Sequence, residues 1–181
     1  MVLLRVAISA PTTLTLTPRQ ADGSALLMKH LGQRYVQHVN RSYQRSGTLW
    51  EGRFRSCLVD SEHFLLACYR YIEPNPHRAG MVNHPRLYRW SNYRINAEGK
   101  ASDLIKPHDL YVQLGRGAQP RREAYRALFR EALDADVVND IRAATNGGFV
   151  LGAARFRDKI AAKLGRRVTP GPARTAITRS H

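Results

Sequence analysis

The stretch Ala67-Cys68-Tyr69-Arg70-Tyr71-Ile72-Glu73-Pro74-Asn75-Pro76-His77-Arg78-Ala79-Gly80 decides how this chain is read. It closes an apolar helix and breaks it at Pro74 and Pro76, because proline has no N–H to continue the ladder and restricts the residue before it. The helix is expected to begin with Asp60 or Ser61 as its cap and Glu62 in its positive first turn. Phe64, Leu65, Ala67, Cys68, Tyr71 and Ile72 form its apolar face. A tyrosine at the end of such a helix in a basic chain has three readings: core packing, a platform for a base, or a nucleophile.

Working back towards the N-terminus, Leu49 to Val59 is strand-like in its second half. Phe54 and Leu58 would share one face, with Arg53 and Arg55 together on the other. Trp50, among basic residues, suits either base stacking or ordinary packing. Residues 24 to 44 read as a long helix capped by Ser24. Leu27, Leu31, Tyr35, Val39 and Tyr43 recur every four residues, which predicts a buried stripe. His30, Arg34, His38, Arg41 and Arg45 form a second strip, either a solvated face or a track for a phosphate backbone. No acidic residue stands between Asp22 and Glu51, which favours the track. Residues 1 to 10 read as a strand rather than a targeting segment, since Arg5 interrupts a short apolar run. Thr12 to Thr17 alternates threonine and leucine as a half-buried strand does, and Pro18 stops it.

Towards the C-terminus, Tyr88-Arg89-Trp90-Ser91-Asn92-Tyr93-Arg94 interleaves aromatics with arginines, which suits a grip on single strands or a packed segment with snorkelling arginines. Past residue 100 the pattern is helical: a short helix at Asp109 to Leu114, one opening near Pro120, one from Asp136 to Ala144 with a glycine stop, and one from Ala153 to Leu164.

Across all 181 residues, 29 basic against 14 acidic groups give a net charge of +15, and 43% apolar content is enough for a packed core. Only five of the basic residues are lysine, and arginine's planar fork suits phosphate. A polyanionic partner follows, with nucleic acid preferred and no membrane partner expected. No apolar run reaches the ~18 residues of a membrane span. Cys57 and Cys68 fit a reducing compartment, with the cytoplasm as the default.

Three segments carry a family resemblance: Ser46-Gly-Thr-Leu-Trp-Glu-Gly-Arg-Phe-Arg-Ser56, Tyr69 to Gly80, and Tyr88-Arg-Trp-Ser-Asn-Tyr93. Together they resemble the REP-associated tyrosine transposases, bacterial single-tyrosine enzymes of the HUH class. The resemblance spans about Thr17 to Arg167. It implies an α+β fold, the remnant of an HUH-type ferredoxin-like antiparallel sheet with helices, followed by an all-helical region. The expected divisions are a transposase domain over 1–99 lacking its first strand and helix, a helical region over 100–165, and a disordered basic tail over 166–181.

The resemblance also implies a chemistry. In that class a tyrosine attacks a DNA phosphodiester to give a 5′-phosphotyrosine, helped by magnesium or manganese on two histidines and a polar residue one turn after the tyrosine. Matched by position, Tyr71 is the nucleophile, with Tyr69 a weaker alternative, and Asn75 is the third ligand. The family's metal strand carries His-hydrophobic-His ahead of Thr-Pro. Here Thr17-Pro18 is present, but Pro11 and Thr13 stand where the histidines belong. The divalent metal is therefore expected to be absent from this chain and metal-dependent cleavage impaired. Arg34, Arg41, Arg45, Trp50, Arg53, Arg55, Arg78, Arg89 and Trp90 are the expected DNA contacts. Single-stranded or hairpin DNA of REP-like repeats is the expected partner, with self-association favoured by an unpaired sheet edge. A non-catalytic nucleic-acid-binding protein is the alternative, and an RNA-binding or ribosome-associated protein a further one.

Overall fold

The structure, a computed structural model, describes residues 1–6, 12–50 and 52–171. It is an α+β fold. The sheet has the order β2-β1-β3-β4, formed by Val2–Val6 (β1), Thr12–Leu16 (β2), Arg55–Val59 (β3) and Val150–Leu151 (β4). β1 pairs antiparallel with β2 (Leu3 opposite Thr15) and with β3 (Leu3 opposite Cys57). β4 joins β3 in parallel, Val59 opposite Leu151. Two expectations are corrected here. The sheet is mixed rather than antiparallel, and the region past residue 100 is not all helical, because it supplies β4. A strand of two residues carries no periodicity of its own. It exists because Asp60 donates its N–H to the Leu151 carbonyl at 2.8 Å and Val150 donates to the Val168 carbonyl at 2.9 Å.

Side chains alternate across a strand, so Leu3 and Cys57 face one side of the sheet and Val2, Leu16 and Leu58 the other. The Leu3 side is covered by α2 (Ser61–Ile72) and α7 (Ala135–Gly147). Their Cys68, Ile141 and Ala144 close a core with Leu3, Cys57, Val59 and Leu151. α7 is held at both ends. Asp134 caps it by accepting the Asp136 N–H at 2.7 Å, and Gly148 closes it at φ +66°, a conformation that favours glycine. In α2, Leu65 and Cys68 are fully buried. Trimming Leu65 to alanine is expected to cost about 2–5 kcal/mol through the cavity it leaves.

The other side of the sheet carries α1 (Gly23–Ser42), and its orientation corrects a third expectation. Leu27, Leu31, Tyr35 and Tyr43 are 44, 46, 43 and 75% exposed, whereas Met28 and Gly32 are buried. The helix meets the sheet through Met28, which packs with Val2, Leu14, Leu16, Trp50 and Phe54. The Trp50 ring lies against Gly32, where no side chain stands in its way, and this turns the leucine stripe aside.

A third cluster is aromatic. It draws Tyr93 and Ala97 from α4 (Tyr93–Asn96) and its C-terminal end, Tyr111 from α5 (Asp109–Val112) and Tyr125 from α6 (Ala118–Ala127). Tyr111 and Tyr125 meet edge to face at 5.3 Å. After α8 (Ala154–Leu164), Val168 is buried and its carbonyl holds β4, so residues 166–171 belong to the fold and not to a free tail. Residues 172–181 of the expected tail lie outside the described residues. Among the described residues no helix is long and apolar enough to cross a membrane.

Candidate functional site

Pro74 ends α2, as its chemistry requires, but the chain turns at once into the short α3 (Asn75–Arg78). Tyr71 and Asn75 therefore sit on two helices and not on successive turns of one. The turn folds Arg78 back over both. Its Nη2 donates to Asn75 Oδ1 at 2.6 Å and to the Tyr71 carbonyl, and its guanidinium carbon stands 5.4 Å from the Tyr71 ring centre. Tyr71 is half-buried against the core beneath the sheet. Arg142 of α7 acts on the same group. Partial burial lowers the Arg78 pKa most, the adjoining Tyr71 works against this, and the positive charge of Arg142 lowers it further. Sequence reasoning missed Arg142, which is far along the chain and has no local motif around it.

Below this cluster lies a buried carboxyl, Glu73, 3% exposed between Tyr71 and Asn75 in sequence. Its Oε1 accepts from the Tyr125 hydroxyl at 2.8 Å and from Asn96 Nδ2 at 3.4 Å, while Oε2 is buried without a partner among the described residues. Burial pushes its pKa up to about 8, with the Tyr125 and Asn96 bonds only partly opposing. Near neutral pH the group is largely a neutral acid that ties the end of α2 to α4 and α6. Tyr69 belongs to the same cluster. Its ring meets Tyr125 at 6.5 Å, and burial, then Glu73 and Cys68, push its hydroxyl up to about 12 against the effect of a bond with Thr15. Tyr69 is a packing residue here.

The residues that would hold a divalent metal do not fit one. Asn75 Oδ1 already accepts from a guanidinium, so a cation is seated where a ligand oxygen is needed. Thr13 occupies β2, opposite Arg5 of β1 in the register. Threonine is a poor substitute for imidazole. Pro11, at the first histidine position, lies outside the described residues.

The other expected contacts fall on separate surfaces. His30, Arg34, His38 and Arg41 are exposed on α1, across the sheet from α2, while Arg45 is exposed but lies past the end of the helix, which closes at Ser42. Trp50 is half-buried, tilted against Tyr35 at 6.0 Å, and lines a cleft of about 200 Å³ with Arg53 and Phe54. Packing is thus its main role. Arg55 is exposed and its Nη1 donates to the Asn146 carbonyl at the end of α7. Trp90 is 74% exposed, with the Arg89 guanidinium 4.3 Å over its ring. Sequence reasoning did not anticipate a cleft of about 480 Å³ in which His84, Arg86, Leu87, Tyr93, Glu98 and Arg126 converge.

Comparison with protein-family models, with curated proteins and with solved structures gives no match. The transposase resemblance rests on the three sequence segments alone.

Proposed function

We propose that this protein binds single-stranded or hairpin DNA, as a relative of the REP-associated tyrosine transposases that has lost metal-dependent cleavage. The observation that carries the binding is the solvent-facing strip of α1, with His30, Arg34, His38 and Arg41 exposed, Arg45 exposed just past its end, and no acid between Asp22 and Glu51. Cations on one helix face can follow a phosphate backbone without reading sequence. Trp90, exposed and already stacked by Arg89, supports contact with an unpaired base. A cytoplasmic protein is what this reading entails, in keeping with free thiols at Cys57 and Cys68.

Salt titration tests it. If about five phosphates of a single strand are neutralised, log K should fall against log salt with a slope of about −3.5. Binding indifferent to salt, or none at low salt, would contradict the proposal.

The juxtaposition of Tyr71 and Asn75 favours a second reading, strand cleavage through a 5′-phosphotyrosine. The engagement of Asn75 by Arg78 counts against it.

A further inference from the structure

We infer that Arg78, seated on Asn75 and on the Tyr71 carbonyl, forms a metal-independent site for a nucleic-acid phosphate. The inference rests on the DNA-binding reading above and says where one phosphate is held and by what.

A guanidinium has five N–H donors in a fixed fork and no acceptor. The two bonds of Arg78 both come from Nη2, to Asn75 Oδ1 and to the Tyr71 carbonyl. They fix the plane of the group and leave Nε and both Nη1 hydrogens without a partner among the described residues. The group is thus oriented by neutral oxygens and still carries its full charge. The charged group that bears on it is Arg142, whose positive charge lowers its pKa, and no carboxylate does. Among the described residues neither Arg78 nor Arg142 pairs with an acid; the ion pairs are His63 with Asp60 and Arg94 with Glu98. Like charges with no counterion repel, and an anion bound by both removes that cost. A phosphodiester matches the need: singly charged, with two oxygens that accept charge-assisted bonds. Asn75 acts here as the positioning residue. Its side-chain oxygen turns a guanidinium towards the place a metal ion would take if that oxygen were free. Tyr71 forms the adjoining wall, its ring beneath the same guanidinium.

A short labelled single-stranded oligonucleotide tests the site, with binding measured in EDTA and again in magnesium for the full chain and for Arg78→Gln and Arg142→Gln. Removing metal should leave the affinity unchanged. Each substitution should weaken binding about tenfold, as loss of a charged hydrogen bond does, and reduce the salt slope by about 0.7. The Arg142 side chain makes no hydrogen bond among the described residues, so its substitution tests the site without disturbing the α2–α3 turn. Binding that collapses in EDTA, or that both variants retain in full, would overturn the phosphate site and leave the DNA-binding proposal intact. Failure of the unmodified protein to bind at all would overturn both.

Discussion

Glu73 shows how one side chain couples the α2 end to the rest of the molecule. Its pKa rises from an ordinary 4.5 to about 8 in the fold. Between those values the folded state holds a proton that the unfolded chain has released, so stability falls as pH rises. The contribution is complete below about pH 4.5 and lost above about pH 8. The melting temperature should therefore decline from pH 5 to pH 9, by about 2–4 °C for each kcal/mol lost. Glu73→Gln, which keeps the acceptor for Tyr125 and Asn96, should flatten that decline. An equally steep profile in the variant would show that other groups cause it. The identity of Glu73 is plain in the sequence, but its burial is not, because Asn96 and Tyr125 come from 23 and 52 residues away. The same distance effect hid Arg142. By contrast Tyr71, Asn75 and Arg78 lie within eight residues around a proline break, and local chemistry was enough to group them. What local chemistry did not reveal is that Arg78 turns back onto Asn75.

Helix existence was legible in the chain wherever a breaker stood at its end. Pro74 stops α2, and the glycine pair at 147–148 stops α7 close to where the pattern placed it. Facing was less legible. The four-residue stripe of α1 is real, yet it faces outward, because the partner surface has room for Met28 and for Trp50 over Gly32 but little else. α1 is therefore a long helix fastened by few side chains, while α2 and α7 share a sealed core. Few buried apolar contacts mean easy local opening. Amide exchange should run faster along α1 than in α2 and α7, on the order of tenfold or more, and slow when a single strand of DNA is added. Equal protection of the three helices in the free protein would contradict this account of α1. β2 is an edge strand, half-buried and uncharged, with a threonine–leucine edge of the kind through which sheets associate.

At the scale of the whole molecule the cations are spread over two sides of one sheet. α1 carries its strip on one side, and the Tyr71–Asn75–Arg78 cluster with Arg142 belongs to the other. A bound strand would have to pass an edge of the sheet to touch both. The mixed α+β class was legible from the sequence, since strand-like and helix-like runs alternate over the first hundred residues. The part played by residues past 100 was not. They contribute β4, three residues of the main core and half of the buried aromatic cluster, through contacts that only the folded chain brings together. The central claim is that the molecule holds DNA without metal-dependent cutting. The most direct test incubates the protein with a labelled DNA hairpin and manganese and resolves it under denaturing conditions. The account predicts free protein and uncut DNA, with binding evident only before denaturation. A covalent adduct that disappears in Tyr71→Phe would contradict it.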